Sequence, residues 1–263
     1  MTVGPLRLEV PTDGVVLLTL DLPDRRNAMT AELTAAWTAA VRTVREDREA
    51  RCVVVTGAGS AFCAGGDLSW IAESPELSVA QLRDRMLPFY RSWLSILDLE
   101  VPVIAAVNGP AIGAGLCLAL ACDLRYAAEQ AQFAAPFTAL GMHPGMAATW
   151  LLPEAVGLGA ARELLFTGRR VGAEEAAGMG LVHRVFPDEQ LLGETLAVAA
   201  TVAAQAPVAL RLTKAAVARG GHPTLEDALA WEALAQPITM ATADLREGLR
   251  AQAERRPARF TGG

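Results

Sequence analysis

Val103-Ile104-Ala105-Ala106-Val107-Asn108-Gly109-Pro110-Ala111-Ile112-Gly113-Ala114-Gly115 begins as a charge-free apolar run, breaks at Asn-Gly-Pro, and ends on glycines that open a second apolar stretch at Ala114. It reads as a buried strand, a loop and a helix. An earlier passage is built the same way: Cys52-Val53-Val54-Val55-Thr56, a loop of small residues, then Ala64-Gly65-Gly66-Asp67. A backbone N–H from each glycine segment could meet on one carbonyl oxygen, as the two halves of an oxyanion hole. Donors fixed before reaction stabilise a developing enolate or tetrahedral oxyanion, and one donor is typically worth roughly 3 to 4 kcal/mol. The donor at Ala114 would also sit at the positive end of a helix dipole.

Working outward, Leu6 to Val10 and Val15 to Leu20 read as strands joined by a turn at Thr12-Asp13-Gly14. Thr30 is an N-cap for a helix to about Glu46, because Leu33, Trp37, Val41 and Val44 recur at helical spacing. Ser78 to about Leu99 predicts a second helix with Leu82, Met86, Phe89, Trp93 and Ile96 on one face. Strand and helix therefore alternate to about residue 127, which implies crossover connections and an α/β core. Beyond about residue 145 the pattern is helical: Thr149 to Val156, Ala160 to Phe166, Ala173 to Met179, Asp188 to Ala206 and most of Pro207 to Arg255. Only Val182 to Phe186 reads as extended in that part.

A chain of 263 residues at 52% hydrophobic supports one large core, or one core with a smaller appendage. With 23 Lys+Arg against 29 Asp+Glu, the net charge of -6 offers no general basic field for nucleic acid or anionic lipid. Cys52, Cys63, Cys117 and Cys122 lie in apolar stretches without CxxC spacing, as reduced core residues of a cytoplasmic protein do. Met1 to Val10 lacks a basic segment followed by an apolar one, so no signal peptide is expected. Val101 to Cys122 carries no charge, but Pro102, Asn108, Gly109 and Pro110 divide it, which argues against a membrane span.

Several other chemistries lack their motifs. Gly57-Ala58-Gly59-Ser60-Ala61-Phe62 starts like a dinucleotide fingerprint but has Phe62 in place of the third glycine. Neither a phosphate-binding G-x-x-x-x-G-K-[ST] loop nor a G-x-S-x-G nucleophile elbow occurs. His143, His183 and His222 have no metal-ligand spacing with one another or with the cysteines.

With their flanks, the two glycine segments resemble those of the crotonase superfamily, the enoyl-CoA hydratase/isomerase family. Asp24-Arg25-Arg26-Asn27-Ala28-Met29 is similar to its early loop, and Ala61-Phe62-Cys63-Ala64-Gly65-Gly66-Asp67-Leu68 to its first oxyanion segment. Asn108 to Gly115 with Ala121-Cys122-Asp123 resembles the second. Leu164 to Gly168, Ala176 to Val182 and the ending Phe260-Thr261-Gly262 resemble later signatures. The resemblance implies an α/β fold, a crotonase-like spiral of ββα units over residues 1–200 with the CoA and oxyanion sites. It also implies a C-terminal helical oligomerisation region over 201–263, in a homotrimer or a homohexamer of two trimers.

The implied ligand is an acyl-CoA thioester, with no resident cofactor or metal, coenzyme A arriving as part of the substrate. The oxyanion donors carry over to the N–H groups of Gly66 and Ala114. The CoA portion is expected along Arg25, Arg26, Ala28, Ala64, Gly65, Asp67 and Leu68, although Arg25 and Arg26 read equally well as a solvated loop and Asp67 as a helix cap. Trp70, Phe137 and Trp150 are candidates for the acyl pocket, core packing being the alternative for each.

Where hydratases of the family carry two glutamates, this sequence has Cys117 and Phe137, and a third position that holds an aspartate in some relatives is Gly145. Ordinary hydration thus lacks its usual acid/base pair. His143 is the candidate replacement, since an imidazole titrates near neutrality, against the alternative of a histidine packed on Pro144 or turned to solvent. Cys117 is the second candidate, although a thiol in an apolar helix is usually a core group. The open readings are hydration with a different acid or base, isomerisation, decarboxylation, C–C cleavage, thioester hydrolysis, or a catalytically silent acyl-CoA binder.

Overall fold

The computed structural model describes residues 4–67, 76–218 and 221–263. Strands β1 (Leu6–Thr12) and β2 (Val15–Leu20) form an antiparallel hairpin. From β2 onward the sheet is parallel, through β3 (Cys52–Gly57), β4 (Val103–Val107), β6 (Leu124–Ala128) and β9 (Arg184–Phe186), in the order β1-β2-β3-β4-β6-β9. A second, three-stranded sheet joins β5 (Ala111–Ile112), β7 (Gln132–Ala134) and β8 (Arg170–Gly172).

Every residue of β2, β3 and β4 is buried, because the sheet is covered on both faces. Alternate side chains divide between two cores, as a period of two requires. Val16, Leu18, Val53, Val55, Val103 and Ala105 join the main core with helix α1 (Ala31–Glu46). Val15, Leu17, Cys52, Val54, Ile104 and Ala106 pack instead with Leu191, Ala199 and Ala203 of a later helix, Leu191–Ala203.

Thr30 caps α1 through its side-chain oxygen, which accepts from the Leu33 N–H at 3.1 Å. Helix α2 (Val79–Leu94) starts on a capping box between Ser78 and Gln81. The two are locked together by Trp37 and Trp93, stacked at 5.1 Å between ring centroids. Trp93 Nε1 donates to Thr34 Oγ1 at 3.0 Å, and Trp37 Nε1 to the Trp93 carbonyl at 3.3 Å. The predicted apolar face of α2 is only partly core: Trp93 and Ile96 are buried, Leu82 is exposed, and Met86 and Phe89 face a cleft.

Helix α3 (Ala114–Leu120) is buried along its whole length. Thus the charge-free stretch from Val101 to Cys122 is β4, β5 and α3 at the centre of the fold, and among the described residues no single helix is long and apolar enough to cross a membrane. Helix α4 (Ala148–Thr167) breaks at Gly157, as the two separate helical runs in the sequence predict. It is followed by α5 (Ala173–Gly178), α6 (Leu191–Ala203), α7 (Pro207–Val217), α8 (Leu225–Met240) and α9 (Ala243–Glu254). The expectation of a single extended piece after residue 145 is corrected by β8, which offers only Val171 as an inward apolar residue and so shows no readable alternation.

Candidate active site

The two glycine segments lie side by side. Cys63 forms an isolated parallel bridge with Ala111: the Cys63 N–H donates to the Pro110 carbonyl at 3.1 Å and the Ile112 N–H to the Cys63 carbonyl at 3.0 Å. Glycine is required where they touch. A Cβ on Gly65 would stand 2.5 Å from the Ile112 carbonyl oxygen and 3.3 Å from the Ala114 nitrogen, and one on Gly115 would stand 2.1 Å from the Cys63 carbonyl oxygen.

The early loop is strung along the first segment. The Met29 N–H donates to the Gly65 carbonyl at 2.8 Å and the Ala64 N–H to the Arg26 carbonyl at 2.9 Å. Asn27, fully buried, holds the loop from inside. Its Nδ2 donates to the carbonyls of Ala58 and Ala61, and its Oδ1 accepts from the Leu22 N–H.

These segments line one wall of a cleft of about 1460 Å³ whose other walls include α1, α2 and the residues after β7. That volume exceeds the roughly 300 to 1,000 Å³ of an ordinary small-molecule site and suits a long ligand. Gly66 and Ala114 both line it. As the first residue of α3, Ala114 has an N–H with no carbonyl one turn back to receive it.

The structure sorts the other candidates. Arg25, Ala28, Ala64, Gly65, Asp67, Phe137 and His143 border the cleft. Arg25 Nη2 lies 2.9 Å from Asp67 Oδ2, tying the early loop to the end of the first segment. His143 is exposed, with Nδ1 2.8 Å from the Pro144 carbonyl oxygen. Leu68 and Trp70 lie outside the described residues.

Three candidates do not border the cleft. Trp150 is 60% exposed, on the first turn of α4, and does not border the cleft. Arg26 is exposed and contributes its carbonyl to Ala64, while Arg25 is the arginine of this loop that borders the cleft. Cys117 is buried beneath the wall, its S–H donating to the Gly145 carbonyl at 3.6 Å. Burial pushes its thiol up to about 12, so it is a protonated core group rather than a nucleophile.

Tyr90, Met86, Phe89, Met142 and Met146 also line the cleft, and sequence reasoning did not assign them to it. Phe89 could be found only as part of the apolar face of α2, and no signal marked Tyr90.

The α/β core, the small second sheet and the cleft beside the glycine segments define a protein of crotonase fold. The structure superposes on the crystal structure of an enoyl-CoA hydratase from Bacillus anthracis with a TM-score of 0.93, at 35% identity, covering 98% of this chain and 100% of that one. The family model for enoyl-CoA hydratase/isomerase matches residues 11–263. YngF of Bacillus subtilis strain 168, which carries the enoyl-CoA hydratase/isomerase name, is 39% identical over 96% of each chain. The crotonyl-CoA hydratase of Syntrophomonas wolfei is 36% identical over 94% of this chain and 95% of its own. The chain belongs to the enoyl-CoA hydratase/isomerase family.

Proposed function

We propose that this protein binds an acyl-CoA thioester in the cleft, accepts its carbonyl oxygen on the Gly66 and Ala114 N–H groups, and stabilises the enolate that follows. The observation that carries this reading is the bridge at Cys63 and Ala111, which brings both glycine segments to one wall before any ligand arrives. Donors held in place need no reorganisation as charge develops, and that is what makes a backbone oxyanion hole effective. Arg25, at the loop that borders the cleft, is the cation for a phosphate of the CoA portion.

The chemistry that follows the enolate does not use the standard hydratase pair of glutamates, since Cys117 and Phe137 stand in their places, and Gly145 stands where some relatives have an aspartate. His143 lines the cleft and remains the side chain proposed to move a proton. One assay series tests the reading: crotonyl-CoA for hydration, a 3-enoyl-CoA for isomerisation, and 3-oxoacyl and malonyl thioesters for C–C cleavage or decarboxylation. Turnover of at least one is expected. Binding without turnover across the series would replace the enzyme by a silent acyl-CoA binder, and absence of binding would overturn the acyl-CoA reading altogether.

A further inference from the structure

One polar group on the cleft has no part in that reading, the phenol of Tyr90 on α2. Its hydroxyl occupies the space into which a side chain at position 145 would project, because a Cβ on Gly145 would lie 2.4 Å from Tyr90 Oη. The Gly145 carbonyl in turn receives the S–H of Cys117. Cys117 follows Ala114 by one turn of α3, and Ala114, Gly145 and Tyr90 all line the same cleft, so the phenol and the Ala114 N–H border one interval of it. An acyl group whose thioester oxygen is held at Ala114 carries its C2 and C3 across that interval.

The hydroxyl is also prepared to donate. The backbone of Met146 lies beside the phenol, and among the described residues no hydrogen-bond acceptor faces its hydroxyl. Burial, with the neighbouring Cys117 thiol, holds Tyr90 above the ordinary phenol range, so the O–H is intact at neutral pH. Among the described residues the carboxylates bordering the cleft are Asp24 and Asp67, on the side of the early loop, and Asp67 is engaged by Arg25.

Resting on the acyl-CoA reading, we propose that Tyr90 is the hydrogen-bond donor for an oxygen on C3 of the acyl group, which makes 3-hydroxyacyl, 3-oxoacyl and malonyl-type thioesters the preferred ligands over saturated ones. A half-buried donor that the bound chain covers, and that a saturated chain leaves without a partner, supplies the discrimination.

Calorimetric titration with acetoacetyl-CoA and butyryl-CoA, which differ at C3 by one oxygen, tests this in the wild type, Tyr90→Phe and Gly145→Ala. The wild type is expected to bind acetoacetyl-CoA about tenfold more tightly. Tyr90→Phe keeps the ring and loses the hydroxyl, so the preference falls to within about twofold while butyryl-CoA binding is little changed. Gly145→Ala displaces the hydroxyl with Tyr90 retained, and the same loss is expected. A preference that survives in both variants, or is absent from the wild type, overturns the inference and leaves the acyl-CoA reading standing. Failure of the wild type to bind either thioester overturns both.

Discussion

Cys117 Sγ donates to the carbonyl oxygen of Gly145 across 3.6 Å, closing α3 onto the loop that precedes α4. Two positions to which the resemblance assigns carboxylates are therefore in contact with each other, one by a thiol and one by a backbone oxygen. The wall they form is neutral. On the proposed acyl-CoA reading, the enolate is left to backbone donors and uncharged side chains, and the variants below separate those contributions.

The thiols should be silent. Cys52, Cys63, Cys117 and Cys122 are all buried, and burial pushes each up to about 12. At about pH 8 the thiolate fraction is negligible and access is closed. Iodoacetamide is expected to label none of the four in the folded protein and all four after denaturation, read by mass spectrometry. Labelling of Cys117 in the folded protein would restore it as a nucleophile.

Ala114→Pro isolates a single oxyanion donor. Position 114 is the first residue of α3, where proline fits the helical φ and the missing N–H costs the helix nothing. Stability should change by no more than about 1 kcal/mol, whereas kcat/KM on the productive thioester should fall by about 10²- to 10³-fold. Urea denaturation and steady-state kinetics give the two numbers. An undiminished kcat/KM would remove Ala114 from the mechanism.

How much of this was legible in the sequence depends on what each residue signals locally. The buried strands announced themselves, because β2, β3 and β4 are continuous apolar runs and remain so when both faces are covered. Thr30 and Ser78 were legible as caps for a similar reason, since capping is chemistry within one turn. β5 and β8 were not, being two and three residues long and defined only by their partners in the second sheet. In the cleft, the glycine segments were readable because close backbone approach admits only glycine. Asn27 and Tyr90 were not, since an asparagine in a polar loop and a tyrosine in a helix acquire their roles from residues 31 or more positions away, at Ala58 and Gly145. Trp150 illustrates the converse: an aromatic residue near a site motif carries no mark of which way its helix faces, and this one is exposed outside the cleft.

His183 gives the fold a pH dependence of definite sign. Its Nδ1 accepts the Arg125 N–H at 3.0 Å, and its own N–H donates to the Arg125 carbonyl at 2.8 Å. Burial first, then the Arg125 guanidinium, hold its imidazole below the ordinary histidine value. The unfolded chain therefore binds the proton more readily than the folded one, and stability rises with pH in that window. The contribution is complete above the unfolded value of about 6.5 and is lost as pH falls through the lower folded value. Between about pH 7.5 and about pH 5.5 the urea midpoint of the wild type should fall further than that of His183→Gln. Equal slopes would show that His183 is not the titrating group.

Asp244 anchors the end of the chain. It is 3% exposed, at the start of α9, and accepts from the Thr261 N–H at 2.8 Å and the Gly262 N–H at 2.9 Å. The Ala243 N–H reaches the Gly263 carbonyl at 2.7 Å, and Arg51 Nη2 donates to the Phe260 carbonyl at 3.1 Å, so the tail is clasped between α9 and the residue before β3. Hydrogen bonds to an ionised acceptor contribute about 1.5 to 3 kcal/mol each, but a released tail recovers water for its amides, so Asp244→Ala should cost about 2 to 3 kcal/mol in urea denaturation. Removing residues 260–263 should cost a similar amount. Because each change breaks the same contacts, the double variant should be little worse than either alone. Full additivity would mean that Asp244 stabilises α9 by itself and that the tail is held by Arg51.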